Sequence, residues 1–235
     1  MPGKELTQYG EECFHRQGLV FKIHEKDAPV SGHTSANVSS LSPKREACIY
    51  VGMEDLTRFN LQEAIAVLGR TAATLDALLR GLPDSWVRSN EGNDTWSAFV
   101  IVGHLIVGER TDWMPRVRII LERGEARPFD PFDRSAESEI QGKSLEQLLD
   151  EFARLRRENL AALQALNLQP DDLARRGRHP ALGAVTLAEL LATWVVHDLT
   201  HLHQLSRVMA HQYRDAVGPW NVYLGVLKCA GHSAP

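Results

Sequence analysis

The run His197-Asp198-Leu199-Thr200-His201 sets two imidazoles four residues apart. On an α-helix that spacing leaves them about 40° apart in azimuth and about 6 Å apart in rise, so both can reach one ion. Neutral imidazole nitrogen is a good ligand for zinc, nickel or iron(II), and two ligands prearranged on one helix lower the entropy of assembling a site. The spacing alone is weak evidence, because histidines recur at this interval on helices that bind nothing. Their setting adds to it. Both fall in an apolar stripe between Trp194 and Leu205, where buried ring nitrogens need partners that a cation could supply. His203 points to another side of the same helix and reads as a surface or packing residue.

His104 is the natural third ligand, since it interrupts an apolar stripe between Val100 and Val107 on a different helix. The ordinary alternative is a core histidine satisfied by hydrogen bonds. Three inward histidines on two helices favour an ion. Three protein ligands leave coordination positions open, the arrangement of a catalytic rather than a structural site. Water bound there would have its pKa lowered toward neutrality, and a thiol could bind as thiolate. No acid or base stands out. Asp198 flanks a ligand but its position points mostly away from the site, while Glu109 and Asp112 read equally well as solvated or salt-bridged residues. Arg175, Arg176 and Arg178 could hold an anionic cofactor tail or simply be surface. A zinc protease is disfavoured, because Asp198 stands where HExxH needs a longer glutamate and no strand pattern offers a substrate edge.

The elements that must position these residues are helices. Leu61, Ile65, Leu68, Ala72, Leu75 and Leu79 form one apolar stripe, ended by Gly81-Leu82-Pro83-Asp84. A second helix, capped from Asn93-Asp94-Thr95, carries Trp96, Val100, His104, Val107, Thr111 and Met114, and Pro115 could kink it before it runs on toward Arg123. The connection from Gly124 to Lys143 is too long for an antiparallel turn and reads as a crossover along a bundle. Ser144 caps a third helix with Leu145, Leu148, Leu149, Phe152, Leu155 and Leu163 inward and a Glu/Arg-rich face toward solvent. Thr186-Leu187-Ala188-Glu189 is a capping box opening the fourth. A shorter segment from Trp220 to Leu227 reads as a short C-terminal helix that folds back as a lid or end cap. No strand is expected, so the fold class is all-α, a four-helix bundle.

Composition agrees with a soluble globular chain, at 43% hydrophobic and 24% charged residues and with no apolar run near membrane length. A net charge of −4 lacks the basic excess that binds nucleic acid. Three scattered cysteines without CxxC, and a start without a signal-peptide pattern, point to a reducing compartment, the cytoplasm. Residues 1–52, rich in Ser, Pro, Gly and Asn from Ala28 to Pro43, read as a flexible extension, and 53–235 as the helical domain.

From Asp55 to about Leu227 the chain resembles the DinB-like superfamily of metal-binding four-helix bundles. The resemblance rests on Trp96 ahead of Gly103-His104-Leu105, on His179-Pro180-Ala181-Leu182-Gly183-Ala184-Val185-Thr186-Leu187, on His197-Asp198-Leu199-Thr200-His201, and on Val217-Gly218-Pro219-Trp220. It implies an up-up-down-down bundle with its metal near one end of the core, often a homodimer, and it places the family's metal triad on His104, His197 and His201. Relatives include transferases and an isomerase that use low-molecular-weight thiols, and many members have no established activity. The expectation is therefore one divalent ion (Zn, Ni or Fe), a thiol or water as nucleophile, and a small-molecule electrophilic substrate. The activity would be that of a thiol S-transferase or a hydrolase. A non-catalytic, metal-stabilised bundle is the alternative.

Overall fold

The computed structural model describes residues 59–92, 95–131 and 137–229, apart from the side chains of 137 and 138. The expected N-terminal extension, residues 1–52, lies outside the described residues.

Four long helical segments build the domain: α1 (Leu61–Leu79), α3 (Ala98–Thr111) continued by α4 (Trp113–Arg123), α6 (Leu145–Ala165) and α8 (Leu187–His211). Short helices α2 (Asp84–Val87), α5 (Glu137–Ile140) and α7 (Pro170–Leu173) lie in the connections. Side chains start each long helix by capping free amides. Asn60 accepts from the amides of Gln62 and Glu63. Ser97 accepts from Val100, in place of the expected Asn93-Asp94-Thr95. Ser144 with Gln147, and Thr186 with Glu189, form capping boxes. The second helix breaks at Asp112, one turn before Pro115. Proline has no N–H for the carbonyl of Thr111 and its ring crowds that carbonyl, so the helix ends there and restarts with Pro115 in its first turn.

The inner faces form two apolar clusters. One joins Leu75 and Leu79 of α1, Ile101 and Leu105 of α3, Leu148 and Phe152 of α6, and Leu205 and Val208 of α8. The other joins Leu68 of α1, Val117 and Ile120 of α4, Leu163 of α6, and Leu187, Leu191 and Trp194 of α8. These memberships also fix the helix directions. Read along each helix, α1 and α8 run from the second cluster to the first, while α3/α4 and α6 run the other way. The order is therefore up, down, down, up, one helix out of phase with the expected up-up-down-down. The reason is where the long connection falls. Only a segment able to run back along the bundle can join parallel helices, and residues 124–144 join the second helix to the third.

Two expectations are revised in detail. A two-stranded antiparallel hairpin, β1 (Arg176–His179) and β2 (Gly183–Thr186), closes the end of the bundle where α8 begins. Its four-residue strands carry no apolar alternation, and β1 is held instead by a bridge to Pro128 and by the bond from the Phe129 amide to the Arg178 carbonyl, 2.9 Å. The C-terminal segment is two 3-10 turns, Gly218–Tyr223 and Gly225–Leu227, the second packed on α8. Among the described residues no helix is long and apolar enough to cross a membrane.

Candidate metal centre and adjoining cavity

Between the two apolar clusters, each long helix contributes polar side chains to the interior. Three of these are the histidines singled out by spacing. Their ligand atoms all lie within 4.8 Å of one another. Nε2 of His197 stands 3.2 Å from Nε2 of His104 and 3.1 Å from Nε2 of His201. They sit at the junction of the clusters, not near one end of the core. His104 and His201 are buried and His197 is half-buried. His203 is exposed, as its azimuth implies.

The donor set fits a divalent ion. Gln204 Oε1 lies 2.9 Å from Nδ1 of His201 and can only accept, so the proton sits on Nδ1 and the Nε2 lone pair faces the other two rings. One proton on His197 Nε2 could serve only one of its two neighbours, leaving lone pairs opposed. An ion at the centre would take all three at once. At a Zn–N distance of about 2.0 Å, tetrahedral ligand nitrogens are about 3.3 Å apart, close to the two separations from His197. Burial favours the neutral form that ligation requires in two of the rings: it pushes His197 down to about 2, with His201 and His104 adding to the effect, and lowers His201 as well. Aromatic rings fix the imidazoles from outside. Trp96 lies 4.6 Å from His104 and stacks on His201 at 6.1 Å, and the edge of Trp113 meets His197 at 5.1 Å.

Beside the triad, Arg156 of α6 is buried to 2% exposure and links all four long helices. Its guanidinium donates to Glu109 Oε1 of α3 (2.7 and 3.0 Å), to both oxygens of Asp198 on α8, and to the Leu68 carbonyl of α1 (2.9 Å). Thr71 Oγ1 donates to Asp198 Oδ2 at 2.6 Å, and Trp194 Nε1 to Glu109 Oε1 at 3.1 Å. Burial works to lower the Arg156 pKa, but the carboxylates of Glu109 and Asp198 outweigh it and the net shift is upward. Asp198 and Glu109 thus act as structural partners of Arg156, and the third helix is not solvated along the whole of its charged side.

His197 also lines a cavity of about 350 Å³. Its apolar walls are Trp113, Phe129, Leu182, Val185 and Leu190; its polar groups include Asp112, Arg116 and His179. Neither His104 nor His201 lines it, so this cavity reaches the triad at His197. Asp112 and Arg116 form a buried ion pair across one turn of α4. Burial raises Asp112 to about 6, with Arg116 working against that rise. The hairpin is seated behind this cavity by the packing of Gly177 on Ile120 and Phe129. A Cβ there would lie 2.7 Å from Ile120 and 2.8 Å from Phe129, so only glycine lets Phe129 seat against the strand. The three arginines of this region go elsewhere. Arg175 bonds the Leu121 carbonyl, Arg176 pairs with Glu125 at 3.5 Å, and neither they nor Arg178 line the cavity.

A sequence model of the DinB superfamily matches residues 68–205, more than half of the chain. The chain belongs to the DinB superfamily. No curated protein sequence matches it. Among solved structures it is similar to YfiT from Bacillus subtilis, described as a probable metal-dependent hydrolase with an unusual four-helix bundle topology. That match has 22% identity and a TM-score of 0.53, and covers 71% of this chain and 92% of YfiT. It establishes the shared fold. The matched family region contains all three histidines, Arg156 and the hairpin of this DinB protein.

Proposed function

We propose that this DinB-superfamily chain is a metal-dependent enzyme. A divalent ion on His104, His197 and His201 would activate water or a low-molecular-weight thiol toward a small electrophile in the adjoining cavity. The observation that carries this reading is the position of His197. A purely structural ion would be enclosed on every side, whereas this ligand is half-buried and forms part of the wall of a roughly substrate-sized cavity. When bound, the ion supplies Lewis acidity, lowering the pKa of a bound water or thiol toward neutrality.

The protein's own groups do the rest. Gln204 fixes the His201 tautomer, and Trp113 holds the His197 ring on edge. Apolar walls at Trp113, Phe129 and Leu190 lower the local polarity around the reacting groups. Asp112, with a pKa near 6, can hold or release a proton on its carboxyl oxygens at neutral pH from the same cavity. The description of YfiT as a probable metal-dependent hydrolase favours water over a thiol as the nucleophile.

The purified protein is expected to carry about one divalent ion per chain by elemental analysis. His104→Ala, His197→Ala and His201→Ala should lose it, and His203→Ala should keep it. Full metal occupancy in His197→Ala would overturn the site. Activity is then sought with the loaded protein on a panel of small esters, amides and thiol-plus-electrophile pairs. Tight metal binding without turnover of any of them would leave a metal-stabilised bundle in place of an enzyme.

A further inference from the structure

The cavity carries a hydrogen-bonding group whose direction is set before any ligand arrives. His179 ends β1, and the tight turn to Gly183 folds two backbone amides onto its ring. The amides of Ala181 and Leu182 both donate to Nδ1, each at 3.1 Å. A nitrogen that accepts two N–H groups cannot carry a proton of its own. In the neutral ring the proton is therefore on Nε2. Burial and the nearby Arg116 lower the pKa of this histidine, which keeps it neutral. Phe129 meets the ring in a T-shaped contact at 6.2 Å. His179 thus offers an N–H donor in a cavity whose other walls are mostly apolar.

The size of the space narrows what that donor would meet. At about 30 Å³ per water, 350 Å³ holds roughly a dozen water-sized atoms, and a dry cavity of about 150 Å³ already takes benzene. The cavity suits one ring or a short branched chain bearing a polar substituent.

We propose that His179 is a positioning residue whose Nε2–H binds an acceptor oxygen of the substrate, so that the substrate class is a compact, largely apolar molecule carrying a carbonyl or carboxylate. This rests on the cavity being the reaction chamber, and the test below is read without turnover so that the two readings fail separately. A donor on the hairpin wall and a metal ligand on the α8 wall would hold the molecule between them, with its oxygen on His179 and its electrophilic part toward the triad.

The probes are acetophenone, benzoate and ethylbenzene, titrated into zinc-free protein so that coordination to an ion cannot supply the preference. Acetophenone or benzoate is expected to bind more tightly than ethylbenzene. His179→Leu should reduce that preference about fivefold, the worth of one neutral hydrogen bond, with ethylbenzene binding unchanged. His179→Gln keeps a side-chain N–H and should restore most of the preference. Acetophenone leading identifies a neutral carbonyl, and benzoate leading identifies a carboxylate that also draws on Arg116.

Because His179 also organises its turn, the wild-type protein is read independently by NMR of 15N-histidine-labelled material. Its imidazole should carry the proton on Nε2 at neutral pH, and that resonance should move when the oxygen-bearing probe binds. An unchanged preference in His179→Leu, a proton on Nδ1, or no binding of any probe to the wild type would each overturn the proposal. Loss of zinc binding with the His179-dependent preference intact would refute the metal centre and leave this assignment standing.

Discussion

At His201 a single side-chain contact decides whether the ring is ready to act as a ligand. Gln204 lies one turn further along α8, buried at 4% exposure, with its carbonyl oxygen on Nδ1. Without that acceptor the imidazole is free to place its proton on Nε2, and ligation must first move it. Gln204→Leu is therefore expected to weaken metal binding about 10- to 100-fold, the usual cost of losing such a partner. Gln204→Glu, which keeps an acceptor at the same place, should bind at least as tightly as the wild type. Competition against a chelator of known affinity measures both. Equal affinity in the Leu variant would show that the ring is oriented by Trp96 and the helix alone. The triad itself was legible from sequence, since a four-residue spacing and an interrupted stripe are local signals. Gln204 was not singled out, although its position three residues after His201 is the spacing at which helix side chains meet.

At the scale of the element, the charged residues between the clusters show what a one-helix reading misses. Arg156 sits seven residues after Leu149, four after Phe152 and seven before Leu163, on the apolar stripe of α6 itself. Asp198 occupies the same stripe of α8 as Trp194, His201 and Leu205. The signal was present in the periodicity. What could not be read was the partner, because Arg156 meets Glu109 and Asp198 across 47 and 42 residues of chain. Each residue alone looks like surface charge; together they satisfy one another. Arg156→Met removes the cation and leaves two buried carboxylates with only the neutral donors Thr71, Trp194 and Asn159. The expected loss is on the order of 3–5 kcal/mol of folding free energy, as for other buried pairs broken on one side. Urea unfolding monitored by circular dichroism gives the value. A loss below about 1 kcal/mol would mean that solvent or protonation relieves the site. The hairpin was missed for a different reason: its strands are carried by Phe129 and Gly177 through packing that no alternation in Arg176–His179 announces.

For the whole molecule, the order of helices followed from stripes and connection lengths, but their directions depended on which connection spans the bundle. The same folding that brings histidines and a carboxylate inside makes stability depend on pH, with a sign that can be worked out. His197 and His201 have folded pKa values below the ordinary 6.5, and His179 is shifted the same way. As pH falls below 6.5 the unfolded chain takes up protons that the folded protein refuses, so stability is lost through this window. Asp112 acts oppositely. Its folded value of about 6 exceeds the ordinary 3.8, so between these values the folded state holds the extra proton and gains stability as pH falls. The histidines begin titrating first and are more numerous, and the net expectation for metal-free protein is a falling Tm from pH 7.5 to 5. The slope, not the baseline, carries the test, because either variant can also lose packing. His197→Gln removes one suppressed protonation and should flatten the Tm profile between pH 6.5 and 5. Asp112→Asn removes the opposing group and should steepen it, most below pH 6. Scanning calorimetry of chelator-treated protein at half-unit pH steps reads both. A His197→Gln profile parallel to that of the wild type would show that His197 is protonated as readily in the fold as out of it. Adding back one equivalent of zinc should raise Tm at pH 7.5 and lose that gain toward pH 5, where protons compete for the three imidazoles.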